Sequence, residues 1–204
     1  VSDFWNLSDG EDVSQTSTGE HDAGGGNLEP IPAETSVLAA IDEAKWDKDQ
    51  QGNRFISLRW SVLRPDEFEN RKVFQKLWVL DADPRAKPEK VAQKRDKAKR
   101  MLGAIDANAG GKLLAKPVMP TDEALTLHLT NKPMVIKLMV WSMKDQMTGE
   151  VARGNWVGAV SPKSAPISSQ QEIERAKVEQ DYAHRNSAAQ AAKANRDFSD
   201  EIPF

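Results

Sequence analysis

A chain of 204 residues, 39% hydrophobic and 29% charged, has room for one domain of ordinary size with flexible arms and requires no second domain. Cysteine is absent, which excludes a disulfide framework and a thiolate metal site. No apolar run reaches bilayer length and the start lacks a basic-then-apolar leader, so a membrane-free, cytoplasmic setting is expected. The net charge of −3 hides a segregation: residues 1–34 carry eight acidic groups and no Lys or Arg, residues 35–163 carry 23 basic against 16 acidic, and residues 164–204 carry 5 against 7. A basic middle between acidic ends suits a polyanionic partner.

Residues 1–34 are poor in bulky apolar groups, rich in Ser, Thr, Gly, Asp and Glu, and interrupted by Gly24 to Gly26, Pro30 and Pro32. Such a segment buries too little surface to offset its ordering entropy and is predicted to be a disordered acidic arm. Its exception is Phe4-Trp5-Asn6-Leu7, an apolar cluster suited either to docking on a partner or to folding back on the domain.

Thr35 to Trp46 reads as a first strand, with helix competing over Val37 to Lys45, and Asp47 to Asn53 as the polar turn after it. Arg54 to Leu63 alternates with period two: Ile56, Leu58, Trp60 and Val62 on a buried face, Phe55, Ser57, Arg59 and Ser61 on a wet one. After a turn at Pro65 to Asn70, Lys72 to Leu80 repeats the pattern. Val73, Leu77 and Val79 share a face with Gln75, while Lys72, Phe74, Lys76 and Trp78 alternate cation and ring on the other. That alternation fits a surface that holds phosphates and stacks bases at once, although lysine stems between strand aromatics are also ordinary on solvated sheets.

Pro88 to Asn108 is the clearest helix, stopped by Gly110-Gly111. It has an apolar stripe of Val91, Ala98, Met101, Leu102 and Ile105, and a lysine-rich flank that reads first as a solvated face. A short second helix is expected from Thr121 or Pro120 to Asn131. Pro133 to Lys144 and Glu150 to Val160 follow as two strands, with Thr148-Gly149 as a hairpin signal. The first of them sets Met134, Ile136, Leu138 and Val140 against Val135, Lys137, Met139 and Trp141, and in the second Gly154 and Gly158 mark bends or close approach.

The order strand, strand, strand, helix, strand, strand is that of the five-stranded oligonucleotide/oligosaccharide-binding barrel, the OB-fold, which takes single strands across its second and third strands. The predicted fold is therefore mainly β, an OB-fold-like barrel over residues 35–163. Lys163 to Arg196 reads as a flexible linker, transiently helical at most over Gln170 to Arg185.

His21, His128 and His184 lie far apart and no carboxylate cluster has metal-ligand spacing with them. Gly24 to Gly26 lacks the preceding strand and following lysine of a phosphate loop. No catalytic constellation emerges, so neither an enzyme, a cofactor nor a metal is expected.

The chain ends Asp197-Phe198-Ser199-Asp200-Glu201-Ile202-Pro203-Phe204. This ending resembles the acidic tip of bacterial single-stranded DNA-binding proteins, in which acidic residues precede a terminal Ile-Pro-Phe; Glu201 stands where those proteins usually carry Asp and keeps the charge. Residues 3–163 are similar to a family of little-described phage proteins through Asn53 to Trp60, Asn70 to Leu77, Met101 to Lys112 and Asn131 to Lys137. Together the chain resembles a phage-encoded single-stranded DNA-binding protein. The resemblance implies replication and recombination in the cytoplasm of a bacterial host, with host or phage replication and repair proteins reading Asp197, Phe198, Asp200, Glu201, Ile202, Pro203 and Phe204. A ring and a carboxylate on the one residue Phe204 suit a pocket with an apolar floor and a cationic rim. For the domain, Arg59, Lys72, Lys76, Lys137 and Arg153 are expected to meet phosphates, and Phe55, Phe74, Trp78 and Trp141 to stack bases. The rival is an adaptor whose tip engages host proteins while the domain ignores DNA. Monomer and homo-oligomer both stay open.

Overall fold

The computed structural model describes residues 29–84, 86–116, 118–144 and 151–197, with side chains up to Arg185 except that of His184. The Phe4-Trp5 segment, the Thr148-Gly149 turn and tip residues 198–204 lie outside the described residues, as does the side chain of Asp197.

Among the described residues, five strands and three α-helices follow in the order β1 (Ser36–Lys48), β2 (Arg54–Arg64), β3 (Lys72–Leu77), α1 (Val91–Ala109), α2 (Asp122–Leu129), β4 (Met134–Lys144), β5 (Val151–Ser161) and α3 (Gln170–Asp197), with 3-10 turns at Asp66–Phe68 and Pro88–Lys90. The strand alternative wins over helix at Val37 to Lys45 because Val37, Ala39 and Ile41 alternate inward and are fully buried. The strands form one antiparallel sheet in the order β3-β2-β1-β4-β5. The sheet curls until its two edge strands, β3 and β5, lie against each other, and α1 packs beneath both. No ladder joins β3 to β5 among the described residues, so the sheet remains open.

The inner face carries the core that the period-two reading anticipates. Ile56, Leu58, Trp60, Val62, Ile136 and Leu138 are all fully buried, each contributing about 1.5–3 kcal/mol. Trp60 brings a polar atom inward, and its Nε1–H donates to Gln75 Oε1 at 3.0 Å, which explains the one amide on the apolar face of β3. The third strand stops at Leu77, three residues short of the predicted Leu80. There the Val79 N–H turns back to the Leu77 carbonyl at 3.0 Å, and Asp81 accepts from the Arg54 N–H at 2.7 Å.

Helix α1 ends where Gly110 adopts φ 116°, a left-handed conformation open to glycine. Asp106, 1% exposed, accepts from the backbone N–H groups of Leu113 and Leu114 at 3.1 and 2.8 Å and so fixes the turn that follows. Thr121 caps α2 by accepting from Ala124 N–H at 3.2 Å.

The ends of the domain differ from expectation. Residues 170–197 form α3 in place of a linker, and Ile173 on its first turn is 1% exposed within the core. A single buried isoleucine is enough to dock the helix, because polar contacts reinforce it. Lys177 and Gln170 both reach Glu67, and the Ser36 N–H donates to Ser168 Oγ at 2.9 Å. The helix start was legible as a capping box: Glu172 accepts from Ser169 N–H at 2.7 Å, and Ser169 Oγ accepts from Glu172 N–H at 3.4 Å. Likewise Ile31, assigned to the acidic arm, is buried and exchanges two hydrogen bonds with the Asn155 amide, at 2.8 and 2.7 Å. Ile173→Ala is expected to destabilise the domain by about 2 kcal/mol, the low end for a large-to-small core change, as α3 relaxes at its free end. Urea denaturation checks this, and an unchanged midpoint would restore the linker reading.

Candidate nucleic-acid interface

The outer face of the sheet receives the residues that alternate with the core. A register shift at Asp42, between the pairs Ile41 with Trp60 and Glu43 with Arg59, inserts one extra residue into β1. The bulge turns two consecutive carboxylates toward the same guanidinium. Arg59 Nη1 lies 3.1 Å from Glu43 and its Nε 3.8 Å from Asp42. Lys72 Nζ is 2.6 Å from Asp42 and also meets Ser61 Oγ. Lys137 Nζ pairs with Glu34 at 2.9 Å. At least three of the five cations expected to meet phosphates thus already face carboxylates. A hydrogen bond from Lys45, then its charge and that of Arg59, hold the Glu43 carboxyl below its ordinary range, so it remains ionised near neutrality.

Phe55 is corrected outright. It is 1% exposed, with the Trp78 ring 4.8 Å away at a 50° tilt and Lys76 Nζ 4.5 Å above its own ring. The turn after Leu77 folds Trp78 over Phe55, so Phe55 serves as the floor beneath Lys76 and Trp78 and presents no face to a base. Trp78 keeps part of its ring accessible. Arg153 is corrected as well. It lies opposite Ser142 in the β4–β5 ladder, one position out of phase with the pair of Trp141 and Gly154, and therefore on the other face of the sheet.

Phe74 and Trp141 stand where the alternation places them, 66% and 41% exposed. The Trp141 indole lies flat over Gly154, where a Cβ would come within 2.7 Å of the ring, so the close approach expected of that glycine is met. Trp156, two residues further along β5, is 46% exposed and was not singled out by the sequence reading. Its signal was available: Val157 points inward at 2% exposure, so period two sends Trp156 outward, between Gly154 and Gly158, over which the Trp141 and Met139 side chains lie.

Because β3 and β5 meet, Phe74 and Trp156 line one groove of about 300 Å³, with Trp78 and Lys76 on its sheet side. Its far wall is α1, which presents Lys94, Lys97, Ala98 and Met101. Lys94 pairs with Asp83 at 3.0 Å. The groove thus combines large exposed rings with three lysines against one carboxylate. Rings offer stacking to any planar group, and the lysines offer point charges to phosphates. Among the described residues no group of three or more His, Asp or Glu is placed to hold a metal ion, and no helix is long and apolar enough to cross a membrane. No protein-family model matches this chain, and a search of curated proteins finds no relative.

Proposed function

We propose that the protein binds single-stranded DNA without sequence preference, during phage replication and recombination in the bacterial cytoplasm, and passes partner proteins to the strand through its C-terminal tip. The strand order supports this. A barrel with the OB-fold connectivity, opened at the contact between its third and fifth strands, gives the order β3-β2-β1-β4-β5 with the edges still adjacent. The observation that carries the proposal is the set of three large rings, Phe74, Trp141 and Trp156, left 41–66% exposed on the outer surface, with lysines beside two of them. A folded domain seldom leaves such rings uncovered together unless something occupies them. Unstacked bases suit them, at about 1–3 kcal/mol per stacked base whatever its identity.

Titration with oligo-dT at low salt is expected to quench tryptophan fluorescence, because Trp141 and Trp156 are exposed and Trp78 partly so. Duplex of equal length serves as the control and should bind more weakly. An absence of quenching, or equal affinity for duplex, would remove the proposal. The adaptor reading gains support from one observation, the carboxylates facing Arg59, Lys72 and Lys137. It predicts that the tip captures a partner while oligo-dT leaves the fluorescence unchanged.

A further inference from the structure

The outer face over β1, β2 and β4 offers phosphates little net charge. Arg59, Lys72 and Lys137 each face at least one of Asp42, Glu43 and Glu34, with Asp42 shared by Arg59 and Lys72 and Glu43 shared by Arg59 and Lys45. A strand crossing that face must draw these three cations out of their ion pairs before it gains their contacts. The groove between β3 and β5 differs: among its described lining residues Lys76, Lys94 and Lys97 stand against one carboxylate, Asp83.

Helix α1 continues the groove's positive charge. Lys94, Lys97 and Met101 recur at i, i+3 and i+7, which places them along one side of the helix, and Lys90, the N-cap residue that closes the 3-10 turn Pro88–Lys90, leads into that row. The same spacing sets Ala98 and Ile105 toward the core, so the row runs beside the buried stripe and is not hidden by it. Lys94 and Lys97 line the groove with Phe74 and Trp156. From Lys90 to Lys97 the row covers about 10 Å of helix axis, an extended track. Lys99 and Asp96 fall on other sides of the helix.

Building on the proposed single-strand binding, we infer that the DNA leaves the sheet at the contact between β3 and β5 and runs along α1. In this arrangement Phe74 and Trp156 stack bases while Lys97, Lys94 and Lys90 hold the phosphates that follow. The helix that closes the underside of the sheet is then part of the binding surface, and the strand's course avoids the carboxylate-matched face of β1 and β2.

The test uses the full chain and oligo-dT, comparing the pair Lys90→Glu with Lys97→Glu against a control pair, Lys99→Glu with Lys116→Glu. All four side chains are exposed and both pairs change net charge equally. The first pair is expected to weaken binding about tenfold at low salt and to flatten the plot of log affinity against log salt by about 1.4, or 0.7 per lost phosphate contact. Quenching at saturation stays at the wild-type value, because the rings still stack. The control pair should change affinity by less than about threefold with its slope kept, as expected of a general field alone. The neutral pair Lys90→Gln with Lys97→Gln should move in the same direction by less, which guards against a fold effect of the reversed charges. Wild-type affinity and slope in the Lys90/Lys97 variants, or an equal loss in the control, overturns the α1 track while oligo-dT binding itself stands. Failure of the wild-type chain to bind oligo-dT overturns the proposed function, and the track with it.

Discussion

Replacing Phe74 and Trp156 together by alanine is expected to weaken oligo-dT binding by more than about tenfold, short of the roughly 2–6 kcal/mol that two independently stacked bases would sum to, while changing stability by no more than about 0.5 kcal/mol. The two halves of this expectation come from the same observation. At 66% and 46% exposure neither ring fills the core, so truncation opens no cavity, yet each offers a base a flat apolar face. The effect should fall short of the sum of the single variants, because both rings line one groove and a base displaced from one can lean on the other. Fluorescence anisotropy with labelled oligo-dT measures the affinity and urea denaturation the stability. Unchanged affinity in the double variant would exclude the groove as the stacking site. Phe55 is the natural contrast: buried beneath Trp78 and Lys76, it should register in stability before it registers in binding.

The second large effect lies on the opposite face of the sheet. Trp60→Ala is expected to cost about 3–5 kcal/mol of stability, since it removes the largest fully buried side chain among the described residues and leaves Gln75 Oε1 without its donor. Trp60→Phe keeps most of the apolar volume and should cost about 1–3 kcal/mol, chiefly the orphaned acceptor. Below the denaturation midpoint both variants should bind oligo-dT with wild-type affinity per folded molecule. A lost affinity at unchanged midpoint would mean that Trp60 faces the ligand and that the inner and outer faces have been exchanged.

The sequence by itself determined which residues of each strand point together. Period two along β2, β3 and β4 separates core from outer face with no tertiary knowledge, because side chains alternate whatever the neighbouring strand. It also determined the helix stop at Gly110 and the cap at Thr121, both local devices whose hydrogen bonds close within a turn. The Ser169/Glu172 box is equally local, whereas the docking of α3 through Ile173 depends on a core built from distant residues.

What only the tertiary structure decided is which neighbours each outward side chain meets. Alternation sends Phe55 outward, but the turn after Leu77 lays Trp78 over it and makes it a floor. It sends Arg59, Lys72 and Lys137 outward too, and the bulge at Asp42 and the segment carrying Glu34 bring carboxylates to them from strands and loops remote in sequence. Lys94 and Lys97 looked like a solvated helix flank until the curl of the sheet brought β3, β5 and α1 together around a groove. The physical reason is range: side-chain direction depends on a residue's own backbone and its neighbours in the chain, whereas burial and charge pairing depend on contacts whose partners lie dozens of residues away.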